Sequence, residues 1–256
     1  MSARGKVFLF CAALAVAAPR PSHAQMDHSS PATAVTPATP FGMSPVDDEH
    51  VFYHALLDQL EGRFGSTNSF RWEGEAWAGT DTHRLWLRSE GRLTDGEVDD
   101  GQQELFYSHP LSTYFDAKIG ARYDLDSLPG RGWGALGIEG LAPLFFHVAA
   151  TGYVGGEGRL AAKLSGSYDL LLTQKLILQP QIEMNFYSLD DPARRIGSGL
   201  SDIDAGLRLR YEITRKVAPY VGVAYEGKFG STAALAASVG EPTSQVRFTA
   251  GLRLWF

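Results

Sequence analysis

The last eleven residues, Val246 to Phe256, alternate strictly: Val246, Phe248, Ala250, Leu252, Leu254 and Phe256 fall on one side of an extended chain, and Arg247, Thr249, Gly251, Arg253 and Trp255 on the other. Successive side chains of a β-strand point to opposite faces, so this stretch has one apolar and one polar face. A strand that crosses a bilayer needs roughly 9 to 11 residues. A two-faced strand of that length, ending on an aromatic residue, is what the closing stave of an outer-membrane β-barrel requires, and the terminal Phe256 resembles an assembly signal.

The same rhythm runs back along the chain. Phe115, Ala117, Ile119, Ala121 and Tyr123 alternate with Asp116, Lys118, Gly120, Arg122 and Asp124, and Leu160, Ala162, Leu164, Gly166 and Tyr168 alternate with Arg159, Lys163, Ser165, Ser167 and Asp169. Leu176 to Tyr187 and Leu200 to Glu212 behave alike. Weaker candidates are Phe70 to Ala78, His83 to Arg92, Val98 to Tyr107, Trp133 to Leu141, Leu144 to Val154 and Val217 to Glu226. With the terminal strand these make about 11, whereas bacterial single-chain barrels have even strand numbers. Val51 to Glu61 supplies the twelfth, although its alternation is poor and a short amphipathic helix is the alternative there. The expected fold is therefore all-β, an antiparallel transmembrane barrel of about 12 strands over residues 49–256. Tight turns near Gly79, His109, Ala142, Leu172 and Ile213 would alternate with mostly longer ones near Gly65, Ser127, Asp190 to Gly199 and Lys228 to Glu241. Gly155 to Gly158 is a short exception. Pro180 inside a good strand lacks a ladder donor and points to a local bulge.

At 44% hydrophobic residues the composition is ordinary, as expected when every lipid-facing residue has a lumen-facing neighbour. Ahead of the barrel, Arg4 and Lys6, the apolar run Val7 to Ala18 and Ser22-His23-Ala24 read as a signal peptide, residues 1–24, cleaved after Ala24. That run is too short for a membrane-spanning helix. Residues 25–48, rich in Pro, Ala, Thr and Ser, read as a disordered periplasmic tail. The single cysteine, Cys11, lies in the signal, so the remainder has no disulfides, thiolate metal sites or cysteine nucleophiles. Losing Arg4, Lys6 and Arg20 takes the formal charge from -6 to -9, which speaks against nucleic acid as a partner and for a tolerance of cations, while the barrel itself makes outer-membrane lipid a partner.

The residues expected to face the lumen are unusually charged, with both signs mixed: Arg84, Arg88, Glu90, Glu104, Asp116, Lys118, Arg122, Arg159, Lys163, Asp169, Glu183, Asp202, Asp204, Arg208 and Arg210. They form either a structural network of pairs across the lumen or a route for an ion. His50, His54, His83, His109 and His147 all fall toward the rim that carries the chain ends. Imidazole suits copper, zinc and nickel, so these five make a candidate metal-entry surface. Met26, His28 and Met43 in the tail add thioether and imidazole donors of the kind that hold Cu(I) or Cu(II). If cleavage instead left Met26 first, its free amine and His28 would offer a square-planar Cu(II) site. No outward-facing Ser and His pair is evident, since His147 shares the inner wall with Thr151, and no enzyme is expected.

Several stretches carry a family resemblance. Asp58-Gln59-Leu60-Glu61, Leu85 to Gly91, Arg131-Gly132-Trp133 with Gly140 to Pro143, and Tyr168 to Lys175 leading into Leu178-Gln179-Pro180 are its first half. Asp190-Asp191-Pro192, Gly197 to Asp202, Leu207 to Ile213, Ala218-Pro219-Tyr220 and Lys228-Phe229-Gly230 complete it. Together they resemble the copper resistance protein B family. The resemblance implies an outer-membrane barrel acting in copper tolerance, with copper ions bound and exported or sequestered, and a periplasmic multicopper oxidase as partner. A structural barrel or small-solute pore without specific metal binding is the alternative. Family members often carry a long tail dense in Met and His; here it keeps only Met26-Asp27-His28 and Met43, too few for high-capacity sequestration.

Overall fold

The computed structural model describes residues 50–125 and 130–256; the expected signal peptide and tail, with Met26, His28 and Met43, lie outside the described residues, as does the turn at Ser127. In chain order the strands are β1 (Phe52–Phe64), β2 (Ser69–Gly79), β3 (Arg84–Thr94), β4 (Glu97–Pro110), β5 (Phe115–Asp124), β6 (Arg131–Ala142) and β7 (Phe146–Gly155). They continue as β8 (Leu160–Ser167), β9 (Leu170–Leu171), β10 (Leu176–Tyr187), β11 (Gly199–Tyr211), β12 (Val217–Lys228) and β13 (Ser244–Trp255), with one helix, α1 (Gly230–Ser238), between the last two. Successive strands pair antiparallel, except that β8 and β9 both lie against β10 and not against each other, and β13 returns to β1, so the sheet closes as a 12-strand barrel. Closure leaves no sheet edge, as a sheet surrounded by lipid requires.

The walls are sorted by parity. Ile119 and Phe248 are 60% and 72% exposed on the outer wall, while their neighbours Lys118 and Arg247 are 4% and 5% exposed on the inner one. Lys163 is buried and Leu164 exposed. Most buried side chains are polar or charged, the inverse of a water-soluble core. Apolar exterior and polar interior are the arrangement of a bilayer-spanning barrel. Among the described residues no helix is long and apolar enough to cross a membrane.

β1 is a strand, not a helix, and its poor alternation has a cause. His54 and Leu56 pair with Trp77 and Glu75, whereas Gln59, Glu61 and Arg63 pair with Glu73, Arg71 and Ser69. All five partners are odd-numbered residues of one β2 face, so the inward parity of β1 switches from even to odd at a bulge between Leu57 and Gln59. A period-2 reading fails across such a switch.

Pro180 involves no bulge. The register between β10 and the β8–β9 stave is unbroken, Gln181 facing Ser167 and Leu178 facing Leu170, and Tyr168 N–H donates to the Pro180 carbonyl at 3.1 Å. A strand residue's N–H and C=O point the same way, so the donor that Pro180 lacks would also have pointed at Tyr168 and Asp169. That is where β8 ends and β9 begins.

The start of β1 and the end of β13 sit at one rim, where Ala55 N donates to Phe256 O at 3.2 Å and Phe256 N to Ala55 O at 2.9 Å. Residues 80–83, 111–114, 143–145, 172–175 and 212–216 turn at this terminal rim. Leu144, expected in a strand, and Phe145 instead occupy the turn before β7 with φ of +67° and +66°. The opposite, loop rim carries connections of uneven length, from Asp95-Gly96, with φ of +52° and +86° as a two-residue hairpin requires, to residues 188–198 and 229–243.

Candidate functional site

The polar faces of the strands meet in the lumen as clusters of ion pairs. Arg63 on β1 donates to Glu61 at 2.7 Å, Asp204 at 2.5 Å and Glu226 at 2.6 Å, and Arg208 on β11 reaches Glu61 at 3.0 Å and Gln59 at 2.9 Å. Arg71 on β2 lies 3.3 Å from Asp204 and 3.5 Å from Glu183. Arg88 pairs with Glu75 and Glu139, Lys118 donates to Glu139 at 2.6 Å, and Tyr153 donates to Glu104 at 2.6 Å. Lys163 meets Glu90 from the far wall. Arg84 pairs with Asp116, Arg122 with Asp124, Arg210 with Asp169, Arg159 with Asp191, and Asn185 donates to Asp202.

Every member of the expected lumen set thus has a partner. Charges withdrawn from water persist only when paired and hydrogen-bonded, and Glu61 and Arg63 at 0% exposure satisfy that condition. Aromatic rings complete the packing: the Lys118 ammonium stands 3.9 Å from the Trp86 ring centre, and Trp133 Nε1 donates to Asp124 at 2.7 Å. Because contacts such as Arg71 with Glu183 join opposite walls, guanidinium and carboxylate groups occupy the lumen at these levels in place of bulk water.

The five rim histidines do not form one cluster. His54 and His147 share the inner wall, His54 opposite Trp77 and His147 in parity with buried Tyr153. His83 and His109 stand on the outer wall, in parity with exposed Leu85, Leu105 and Tyr107. His109 is not in a turn as expected but within β4, paired with Ala117, because the strand runs on to Pro110, whose missing donor is harmless at a strand end. His50 packs edge-on against Phe52.

His83 and His109 are brought together, their rings stacked with centres 5.2 Å apart. His109 Nδ1 lies 3.0 Å from the Thr82 carbonyl, which only accepts, so Nδ1 carries the proton and the Nε2 lone pair is free. Metal-ligating histidines are oriented in this way. His83 Nδ1 is held by the Tyr107 hydroxyl. His54 is oriented in the opposite sense: Trp255 Nε1, which only donates, reaches His54 Nδ1 at 2.7 Å and confines the proton to Nε2. Among the described residues no three His, Cys, Asp or Glu side chains converge as a ready metal cage, and of the five rim histidines His83 and His109 are the two whose rings meet. On the outer wall Ser89 accepts from Trp72 and Gln103, and no described histidine contacts it.

A family model described as "Copper resistance protein B precursor (CopB)" matches residues 51–256. The chain belongs to the copper resistance protein B family. It is similar to "Copper resistance protein B" of Escherichia coli, 45% identical over 212 residues that cover 82% of this chain and 72% of that protein. The "Copper resistance protein B homolog" of Pseudomonas syringae pv. tomato (strain ATCC BAA-871 / DC3000) is 42% identical over the same share of each. Among solved structures, the NanC porin matches with a TM-score of 0.52 at 13% identity, covering 79% of this chain and 99% of that one, a likeness of fold alone.

In this copper resistance B barrel, several lumen residues escaped the sequence reading. Glu61 and Arg63 lie beyond the β1 bulge, where parity had been lost. Arg71, Glu73 and Glu75 alternate cleanly with Phe70, Trp72 and Gly74, a signal that identifies them once β2 is accepted. Glu139 and Glu226 carry the same signal in their strands. Asp191 sits in a loop, where no periodicity exists to mark it.

Proposed function

We propose that this protein works in the outer membrane as a copper tolerance barrel, with its terminal rim toward the periplasm, and that it binds copper ions there through His109 and His83. Supporting this is the ring orientation of His109, whose Nδ1 proton is committed to the Thr82 carbonyl so that Nε2 is free beside His83. Two imidazoles suit either copper oxidation state, and Met26, His28 and Met43 are the further donors the sequence offers. The paired lumen favours holding copper at the rim, for exchange with a periplasmic partner such as a multicopper oxidase, over free permeation. His54 contributes little while Trp255 engages it.

Copper titration of the purified barrel in detergent, alone and with His109→Ala or His83→Ala, tests this. Loss of one high-affinity equivalent in either variant, with His147→Ala unchanged, is expected. Equal stoichiometry in all four proteins would sink the rim assignment and favour the second reading, a structural barrel held together by its lumen ion pairs.

A further inference from the structure

Asp191, in the connection between β10 and β11, is 7% exposed and sits among arginines from three parts of the chain. Arg131, the first residue of β6, pairs with its Oδ2; Arg159, just before β8, lies 3.3 Å from the same oxygen, and Arg194 3.8 Å. Arg131 and Arg159 share the inner wall with Trp133 and Lys163, so both belong to the rigid barrel. Asp191 belongs to a loop. The Arg131 guanidinium also covers the Trp133 ring at 5.4 Å. Glu157, near Arg159 at 3.4 Å, is 82% exposed and remains solvated.

Two wall guanidiniums thus converge on one carboxylate that arrives from outside the wall. Planar guanidinium forks match a carboxylate's two oxygens, and a pair of them over an indole floor is a built anion cradle. The cavity left between Arg131, Arg159, Trp133, Tyr187 and Asp191 measures about 10 Å³, room for one water and nothing larger. Withdrawal of the Asp191 side chain would enlarge it to the size of a small anion. The loop that carries Asp191 is folded back on itself, Asp191 N–H donating to Ile196 O at 2.7 Å, and is tied to the other long loop where Gly197 N–H donates to Thr232 Oγ1 at 2.8 Å. Asp191 is therefore presented to the arginines as a tethered ligand.

We propose that Arg131 and Arg159 form a carboxylate-binding site at the loop-rim mouth of the lumen, occupied here by the chain's own Asp191 and open to an external small carboxylate that displaces it. A tethered competitor acts at an effective concentration in the millimolar range, so the external ligand competes poorly until Asp191 is removed. The site is independent of the rim histidines.

The test is calorimetric titration of the full chain in detergent, in metal-free buffer, with malonate and separately with inorganic phosphate. Asp191→Ala is expected to bind malonate at least about tenfold more tightly than the wild type, and Asp191→Ala combined with Arg131→Gln and Arg159→Gln to lose that gain. Asp191→Ser, whose shorter side chain also vacates the cradle, gives the same reading if the alanine variant does not form the barrel. Malonate binding no tighter in Asp191→Ala and Asp191→Ser than in the wild type, or unchanged by the two arginine substitutions, overturns the proposal. Binding of phosphate but not malonate overturns the carboxylate assignment.

Discussion

The Lys163 ammonium on β8 and the Glu90 carboxylate on β3 are paired directly across the lumen, although four strands separate their staves by the shorter way round the barrel. Both side chains are nearly inaccessible, and Lys163 has a further carboxylate, Glu183, at 3.5 Å. Contacts of this kind fix the barrel's cross-section as well as its stability. They also explain why charges that look costly in a sequence are tolerated: each is already compensated.

Removing one partner strands the other. Glu90→Ala is expected to destabilise the barrel toward the lower end of the about 3–5 kcal/mol typical of a broken buried pair, Glu183 offsetting part of the loss. Replacing both, as Glu90→Leu with Lys163→Met, is expected to cost less than either single change, since no charge is left uncompensated. Denaturant unfolding in detergent or lipid compares the three; a double variant less stable than both singles contradicts the pairing argument.

Ion flow provides a second check. With Arg63 and Arg71 bridging to carboxylates of β11, β12 and β10, the wild-type barrel is expected to conduct weakly in planar bilayers, and Arg63→Ala with Arg71→Ala to raise the single-channel conductance severalfold. A wild-type conductance equal to that of the double variant would mean that these groups do not obstruct the path.

At the terminal rim, Trp255 sets the tautomer of His54. Nitrogen-15 NMR of the imidazoles is expected to show His54 protonated at Nε2 and His109 at Nδ1, and Trp255→Phe is expected to abolish the His54 preference. If the His54 signals are the same in both proteins, the indole donor is not what orients the ring.

The loop rim responds to acid in a definite direction. Burial works to raise the Asp191 carboxyl, but the Arg131 hydrogen bond and the charges of Arg131 and Arg159 outweigh it and hold the group below its ordinary range. A carboxyl depressed in the folded state stabilises it above the unfolded value, about 3.9, and that contribution fades as pH falls through the lower folded value. Amide protection factors across residues 190–198, exchange corrected for its own pH dependence, are therefore expected to hold down to about pH 4 and to fall below it. Asp191→Asn should be less protected throughout, and identical profiles would deny the carboxylate a role in holding the loop.

What the sequence determined by itself was the wall to which most residues belong. Alternation with period 2 is a local property, and in β5, β8 and β13 it sorted Lys118 from Ile119, Lys163 from Leu164 and Arg247 from Phe248 without knowledge of any partner. The closed barrel followed, because alternating strands that face lipid can leave no edge unpaired. Tertiary structure alone decided who meets whom. A bulge reversed the parity of β1 and so concealed Glu61 and Arg63; closure of the ring carried Lys163 to Glu90; and loop folding delivered Asp191 to two arginines far away in the chain. The histidines show the same division: sequence placed five at one rim, but only the hydrogen-bonded neighbours Thr82 and Trp255 determine which imidazole nitrogen is free to bind, because a proton's position depends on what lies opposite in space.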